Sequence, residues 1–249
     1  MTDREPGGRM SLFDHLAELR RRLLISAVAV LVSAAAAFSF SDEILVWLTT
    51  PLHTELVFLS PTEAFWVSLK ISLVVGLLIA LPLVLYQVWR FVAPGMYRTE
   101  QRYAAGFVIG SCAFFAAGLA FCAFVALPFA LKFLIAFGVD RGMKPMISAQ
   151  MYVDFALKFY LAFGVIFEVP LAVTLAGRMG LVTPAFLARN RRYALLANAV
   201  IAAVLTPTSD LFNMAIMLVP LTVLYEIGII GVRLFGRRKS APEAAAAGV

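Results

Sequence analysis

The stretch WVSLKISLVVGLLIALPLVLYQVW, residues 66–89, decides the class of fold. It carries one charged residue, Lys70, and most of its other side chains are apolar. Apolar runs of about 18 or more residues with few charges are typical of helices that cross a membrane. This stretch is therefore predicted to be a transmembrane helix, interrupted at Pro82.

The composition of the whole chain supports the same interpretation. Of the 249 residues, 62% are apolar and 14% are charged, whereas soluble proteins average about 45–50% apolar and about 25% charged residues. A single membrane domain, residues 11–235, accounts for nearly the whole length. The polar residues 1–10 and the low-complexity residues 236–249 are predicted to be disordered tails.

Six apolar runs predict six transmembrane helices and an all-α fold, with the last two helices short. The runs are Leu23–Phe40, Trp66–Trp89, Tyr103–Phe133, Met151–Ala176, Tyr193–Leu205 and Leu211–Phe235. The fifth is the shortest, and its helix would extend only about 20 Å across a hydrocarbon core of about 30 Å. A cleaved signal peptide is the alternative for the first run, but its length favours a retained helix. Gly106 and Gly110 predict a close helix contact.

Connections rich in lysine and arginine alternate along the chain with connections that have few or none. The N-terminal segment has five, residues 41–65 have none, residues 90–102 have three and residues 177–192 have four. Because these residues accumulate on the cytoplasmic side of a membrane, both ends of the chain are predicted to be cytoplasmic. Residues 193–235 must then cross twice, joined by the turn at 206–210, or form a re-entrant hairpin.

The sequence gives no sign of catalysis or of nucleic-acid binding. The net charge of +6 comes from the clusters that set the topology, so it does not predict a nucleic-acid partner. Motifs of nucleotide-binding proteins, metalloproteases and serine hydrolases are absent from the sequence. The two histidines, His15 and His53, lie in segments predicted on opposite sides of the membrane. We therefore expect no enzyme activity, no cofactor and no metal site.

Glu168 is an acidic residue in the interior of the fourth run. A charge at the centre of a membrane costs at least about 2.5 kcal/mol, so we expect this carboxylate to face a partner or a water-filled cavity. Pro170 leaves carbonyls of the preceding turn unpaired, which predicts a bent, partly polar helix. A functional role is favoured, and the alternative is a packing hydrogen bond made by a protonated carboxyl group.

Three other polar residues have structural explanations. Glu226 lies near the basic tail, where a snorkelling or interfacial role is suitable. Asp210 can cap the sixth helix. Lys70 is interpreted as an anchor whose ammonium group extends towards the membrane interface.

Glu100 is the only acid in the two internal basic loops. A lone carboxylate on a cytoplasmic face could bind a guanidinium group through paired hydrogen bonds, and Glu18 offers a second carboxylate. The alternative for Glu100 is a surface ion pair with a neighbouring arginine. Glu18 can pair with Arg22, four residues further along the same helix.

Five stretches, in order along residues 11–235, carry a family resemblance. They are HLAELRRRLL at 15–24, YQVWRFVAPGMYRTEQR at 86–102, FGVIFEVPL at 163–171, TPTSDLFN at 206–213 and YEIG at 225–228. Together they resemble the motifs of the TatC family, the signal-peptide receptor subunits of the twin-arginine protein translocase. Met96 stands where the family usually has leucine.

The resemblance implies both a fold and a function. The fold would be six tilted helices with a concave, glove-like surface, capped by the first outer loop that contains Pro51. The function would be that of a receptor in the bacterial inner membrane, which binds twin-arginine signal peptides and exports folded proteins using the proton-motive force. A small proton-coupled transporter with Glu168 as its relay is the alternative, but the sequence shows no convincing internal repeat. A passive membrane scaffold is a third possibility.

The resemblance also implies functional residues and partners. The signal-peptide-binding residues would be Glu18, Arg20, Phe91, Pro94, Tyr97 and Glu100. The intramembrane polar residues that contact partner helices would be Glu168, Pro170, Asp210 and Glu226. The implied partners are the single-span subunits TatA and TatB, further copies of the chain in a larger receptor complex, and the lipid bilayer.

Overall fold

The apolar runs form helices in the computed structural model, which describes residues 12–52, 56–92, 104–205 and 211–236. The helices in chain order are α1 (Leu12–Phe38), α2 (Ser41–Thr49), α3 (Glu63–Val92), α4 (Ala104–Phe121), α5 (Leu127–Val139), α6 (Ala149–Phe167), α7 (Val169–Arg178), α8 (Pro184–Arg189), α9 (Arg191–Leu205) and α10 (Leu211–Phe235). A 3₁₀ turn at Thr50–Leu52 follows α2, and a π-helical turn at Cys122–Ala126 joins α4 to α5. Two short strands, β1 (Leu56–Val57) and β2 (Ile147–Ser148), pair in parallel.

Five helical stretches within the described ranges are long and apolar enough to cross a membrane. They are Phe13–Phe38, Glu63–Val92, Ala105–Val139, Ala149–Arg178 and Met214–Phe235. The all-α, polytopic architecture predicted from the sequence is confirmed. Helix α9 has 15 residues and extends only about 22 Å. Helix α10 has 25 residues, so of the two helices expected to be short only α9 is shorter than a bilayer core.

Two helical stretches extend beyond the apolar runs that predicted them, because neighbouring polar or irregular segments are also helical. Helix α1 begins at Leu12 rather than Leu23, because residues 12–22 are also helical and continue into the first run. The third span passes through the π-helical turn and ends at Val139 rather than Phe133. Two residues of that turn, Cys122 and Ala126, are buried.

The first of two compact units, Met1–Gly164, depends on small residues between α1 and α3. A Cβ atom added at Gly76 would overlap the backbone of Ala34. Ser72 and Ala80, one turn to either side of Gly76, are also buried. This spacing allows two helix backbones to approach closely. Of the pair predicted to make a close helix contact, Gly106 makes none with the described residues, since a Cβ there would meet no atom within 4 Å.

In the second compact unit, Val165–Val249, α7 packs closely on α10. A Cβ atom added at Gly231 would overlap the hydroxyl group of Thr174, and one at Gly177 would overlap the side chain of Val232. Val232 forms a buried cluster with Leu187 of α8 and with Ile229, so α8 is anchored to the same helix.

Candidate functional site

A cluster of polar and aromatic side chains lies where the first three turns of α1 meet the last turns of α3. We call it the end cluster, and it comprises His15, Glu18, Arg22, Gln87 and Phe91. The rings of His15 and Phe91 stack, with centroids 4.2 Å apart and planes inclined by 15°. The cluster therefore brings together two residues predicted to bind signal peptides, Glu18 and Phe91, from two different helices.

Arg22 connects the two helices within the end cluster. Its Nε donates a hydrogen bond to Glu18 Oε1 at 3.1 Å, and its Nη2 donates to the same oxygen. Its Nη1 donates to Gln87 Oε1 at 3.2 Å. The predicted pair between Glu18 and Arg22 is confirmed. The other carboxylate oxygen, Glu18 Oε2, is buried and accepts no hydrogen bond from any residue that the structure describes.

The remaining residues predicted to bind signal peptides divide into two groups. Arg20 is exposed on α1. Pro94, Tyr97 and Glu100 lie outside the described residues. Sequence reasoning did not select His15 or Gln87, although antiparallel packing of α1 on α3 would have placed both beside predicted residues.

A second polar cluster, which we call the cap cluster, surrounds Glu63 at the opposite end of α3. Glu63 Oε2 accepts a hydrogen bond from the Leu59 N–H group at 2.6 Å. Glu63 Oε1 accepts from the Gln150 N–H group at 2.7 Å and from the Ser148 hydroxyl group. Only 3% of Glu63 is exposed. The sequence did not single out Glu63, although an acid three residues before the apolar run that begins at Trp66 favours the start of a helix.

The connection between α1 and α3 is attached to the start of α6 at further points. In the parallel strand pair, Leu56 is opposite Ile147. The Tyr152 hydroxyl group donates to the Leu48 carbonyl oxygen at 2.6 Å. Pro51, predicted to belong to an outer cap, lies in the 3₁₀ turn beside the buried Leu52. The segment that contains Pro51 is thus a folded structure rather than an open loop.

Lys70 is not the anchor that the sequence suggested. Its Nζ atom lies 2.6 and 2.9 Å from the two carboxylate oxygens of Asp154 in α6. Both side chains are 34% exposed. An opposite charge on a neighbouring helix satisfies the ammonium group directly, so it does not need to extend to the interface.

Glu168 occupies a break between two helices. It is the N-cap of α7, and its carbonyl oxygen accepts a hydrogen bond from the Ala172 N–H group at 2.9 Å. Pro170 is buried in the first turn of α7. The helix predicted to be irregular beside Pro170 is interrupted at Glu168, whose carboxyl oxygen Oε1 is buried.

Glu226 forms a two-point ion pair at the start of α9. Arg191 donates from Nε to Oε1 and from Nη2 to Oε2, both at 2.7 Å. The neighbouring Tyr225 hydroxyl group donates to the Leu187 carbonyl oxygen at 2.9 Å. Asp210, the last of the predicted intramembrane polar residues, lies outside the described residues.

The fold and these clusters define a class of protein, a polytopic α-helical membrane protein with clusters of paired polar side chains. No three His, Cys, Asp or Glu side chains come together as a metal site in the part of the chain described by the structure. Residues 14–220 match the family model of the Sec-independent protein translocase protein TatC. The chain belongs to this family and is a component of a protein translocase.

Individual relatives are similar over nearly the whole chain. The Sec-independent protein translocase protein TatC of Desulforapulum autotrophicum is 41% identical, covering 94% of this chain and 88% of the relative. The TatC protein of Aquifex aeolicus is 39% identical, covering 92% of this chain and 98% of the relative. A crystal structure described as the twin arginine translocase receptor TatC superposes with a TM-score of 0.78 at 40% identity, covering 90% of this chain and all of that one.

Proposed function

We propose that this chain is the receptor subunit of a twin-arginine translocase and that it binds the paired arginines of signal peptides at the end cluster. Membership of the TatC family supports the proposal, as does the similar solved structure, which is described as a twin-arginine translocase receptor. The protein would lie in the bacterial inner membrane with both ends in the cytoplasm, because connections rich in lysine and arginine alternate with connections that have few or none.

The unused oxygen of Glu18 is the observation that carries this proposal. Glu18 Oε2 is buried without a hydrogen bond from the described residues, although a buried carboxylate oxygen normally has a donor. A guanidinium group is a suitable donor, because its planar fork matches a carboxylate and its hydrogen bonds are charge-assisted. The stacked rings of His15 and Phe91 lie in the same cluster and offer an apolar surface to the rest of a signal peptide.

Glu100 would supply the carboxylate for the second arginine of the pair. In the sequence, Glu100 follows Pro94 and Tyr97 after the end of α3, whose last turn contains Phe91, and Arg20 is exposed on α1. In this proposal the loop residues and the end cluster form one recognition surface.

The second compact unit would organise the partner subunits TatA and TatB. A buried carboxyl group at a helix break, such as Glu168 beside Pro170, is a suitable partner for a polar side chain on a single-span helix. Glu226, Asp210 and further copies of the chain would contribute to the same assembly, and the proton-motive force would drive export of folded cargo.

Export by two reporters tests the receptor role. One reporter carries a twin-arginine signal and the other a general secretory signal, and E18Q, E100A and E100K are compared with the wild type. We expect at least about tenfold less export of the first reporter, the effect of losing one charge-assisted contact, and no change in the second. E43Q is the matched control, because Glu43 is exposed on α2.

Site-specific crosslinking from Phe91 to the signal peptide tests contact directly. Normal export of the twin-arginine reporter by both E18Q and E100A, as a passive scaffold would allow, contradicts the receptor role.

A further inference from the structure

Arg22 differs from the two arginines that precede it. Arg20 and Arg21 are exposed on α1, as expected for charges that set the topology of a membrane protein. The side chain of Arg22 is only 13% exposed. Its guanidinium group points into the end cluster rather than away from the chain, so a role in topology alone does not explain its position.

The hydrogen bonds of Arg22 determine where the carboxylate of Glu18 lies. A guanidinium group has five N–H donors in a rigid plane, and Arg22 uses donors on Nε and Nη2 for one oxygen of Glu18. Its Nη1 donates to Gln87 on α3. Because α3 holds one side of the fork, the other side holds Glu18 Oε1 at a fixed position relative to both helices.

This arrangement leaves one edge of the carboxylate unused. Both bonds from Arg22 end on Oε1, while Oε2 has no donor among the described residues. A lysine at position 22 could not reproduce the geometry, because an ammonium group is a point charge on a flexible stem.

We infer that Arg22 is a positioning residue for recognition: fixed by Gln87, it holds one oxygen of Glu18 so that the other oxygen faces a substrate guanidinium group. The inference rests on the proposed receptor function and assigns to Arg22 a part in its selection of arginine over lysine. A carboxylate held in one orientation binds the planar guanidinium group of arginine more tightly than the ammonium group of lysine. A freely rotating carboxylate discriminates less between the two cations.

Binding of labelled signal peptides to the purified full-length protein tests this inference. The probes are a peptide with two consecutive arginines and the same peptide with two lysines, and the readout is fluorescence anisotropy. We expect R22K, which keeps the charge, to weaken binding of the arginine peptide about tenfold, as the loss of about 1.4 kcal/mol does. It should weaken binding of the lysine peptide much less. R21K is the matched control, because Arg21 is exposed on the same helix, and it should leave both affinities unchanged.

A double-mutant cycle identifies the route by which Arg22 acts. If Arg22 acts through Glu18, the effect of R22K disappears in an E18Q background, since interacting residues are not additive. Q87L keeps the charges of Arg22 and Glu18, and like R22K it should lower the preference for the arginine peptide. If R22K lowers the thermal unfolding midpoint more than R21K does, its weaker binding could come from lost stability. The effect of Q87L on the preference for the arginine peptide then decides whether Arg22 positions Glu18.

Different results would overturn the positioning role of Arg22 and the receptor role of the chain. An unchanged preference for arginine in R22K and Q87L, together with weaker binding by E18Q and E100A, overturns the positioning role of Arg22 and leaves the receptor role intact. Full additivity of R22K and E18Q also overturns the positioning role. Normal binding by both E18Q and E100A overturns the receptor role itself.

Discussion

At the scale of single residues, the buried carboxylate of Glu63 is held by donors that lie both near it and far from it in the sequence. Glu63 accepts from Leu59 nearby and from Ser148 and Gln150 more than 80 positions later. Because each donor loses a charged acceptor, we expect E63A to lower the thermal unfolding midpoint. Thermal unfolding of the purified protein in detergent measures the effect.

Two further variants refine the prediction for Glu63. E63Q should be less damaging than E63A, because an amide oxygen can still accept hydrogen bonds. E43Q alters an exposed acid of the same connection and should leave the unfolding midpoint unchanged. Equal midpoints for E63A and E43Q would show that the cap cluster contributes nothing to stability.

The ion pair between Lys70 and Asp154 leads to a prediction about charge removal. K70M leaves Asp154 without its partner, and D154N does the same to Lys70, so each single variant should have a lower unfolding midpoint than the wild type. The double variant K70M/D154N removes both charges, and replacing such a pair by uncharged groups is often neutral. We therefore expect the unfolding midpoint of the double variant to exceed that of either single variant. A double variant less stable than both would contradict this interpretation.

At the scale of helices, α1 and α3 approach each other so closely at Gly76 that there is no space for a side chain. A methyl group there would overlap the backbone of Ala34, so G76A should destabilise the protein by about 1–3 kcal/mol, as other over-packed sites do. Gly106 is the matched control, since a methyl group there has open space. We expect G106A to be neutral or to stabilise the helix by up to about 1 kcal/mol. Thermal unfolding of both variants checks the prediction, and equal destabilisation would contradict it.

The sequence predicted helices better than it predicted their contacts. A run such as Leu211–Phe235 identifies a helix by hydrophobicity alone, and α10 has those boundaries. A glycine pattern does not identify its partner, because the sequence does not say which side of a helix faces protein and which faces lipid. Gly76 packs closely and Gly106 does not, although both lie in equally apolar surroundings.

In the candidate site, too, the sequence predicted some residues but not the contacts between them. The resemblance selected Glu18 and Phe91, which do lie in one cluster. The contact of Arg22 with Gln87 and that of Glu63 with Ser148 join distant parts of the chain, so local sequence patterns could not have predicted them.

At the scale of the whole molecule, the short α9 leads to a prediction about the surrounding lipid. Its 15 residues extend about 22 Å, so the bilayer should be thinner beside it than beside α10. Spin labels at Tyr193 and Val204 test this by their depth, in a protein whose two native cysteines carry the substitutions C112A and C122A. Labels at Val219 and Ile230, which are exposed and equally far apart on α10, form the control pair.

The two pairs of labels should differ in depth. We expect both α9 labels near polar interfaces on opposite sides of the membrane, and at least one α10 label deep in the hydrocarbon. Two α9 labels on the same side would indicate the re-entrant hairpin, and equal depth profiles for the two pairs would exclude local thinning.

The parallel pairing of β1 with β2 also constrains how the protein is made. Leu56 emerges from the ribosome long before Ile147, and α3 and the span that includes α4 and α5 are synthesised between them. The cap cluster therefore cannot close until the nascent chain has passed Gln150. Until then, the connection before α3 is an unprotected segment that a protease or a chaperone can reach. Protease protection of stalled nascent chains should thus appear abruptly, between lengths that end before β2 and lengths that expose the start of α6.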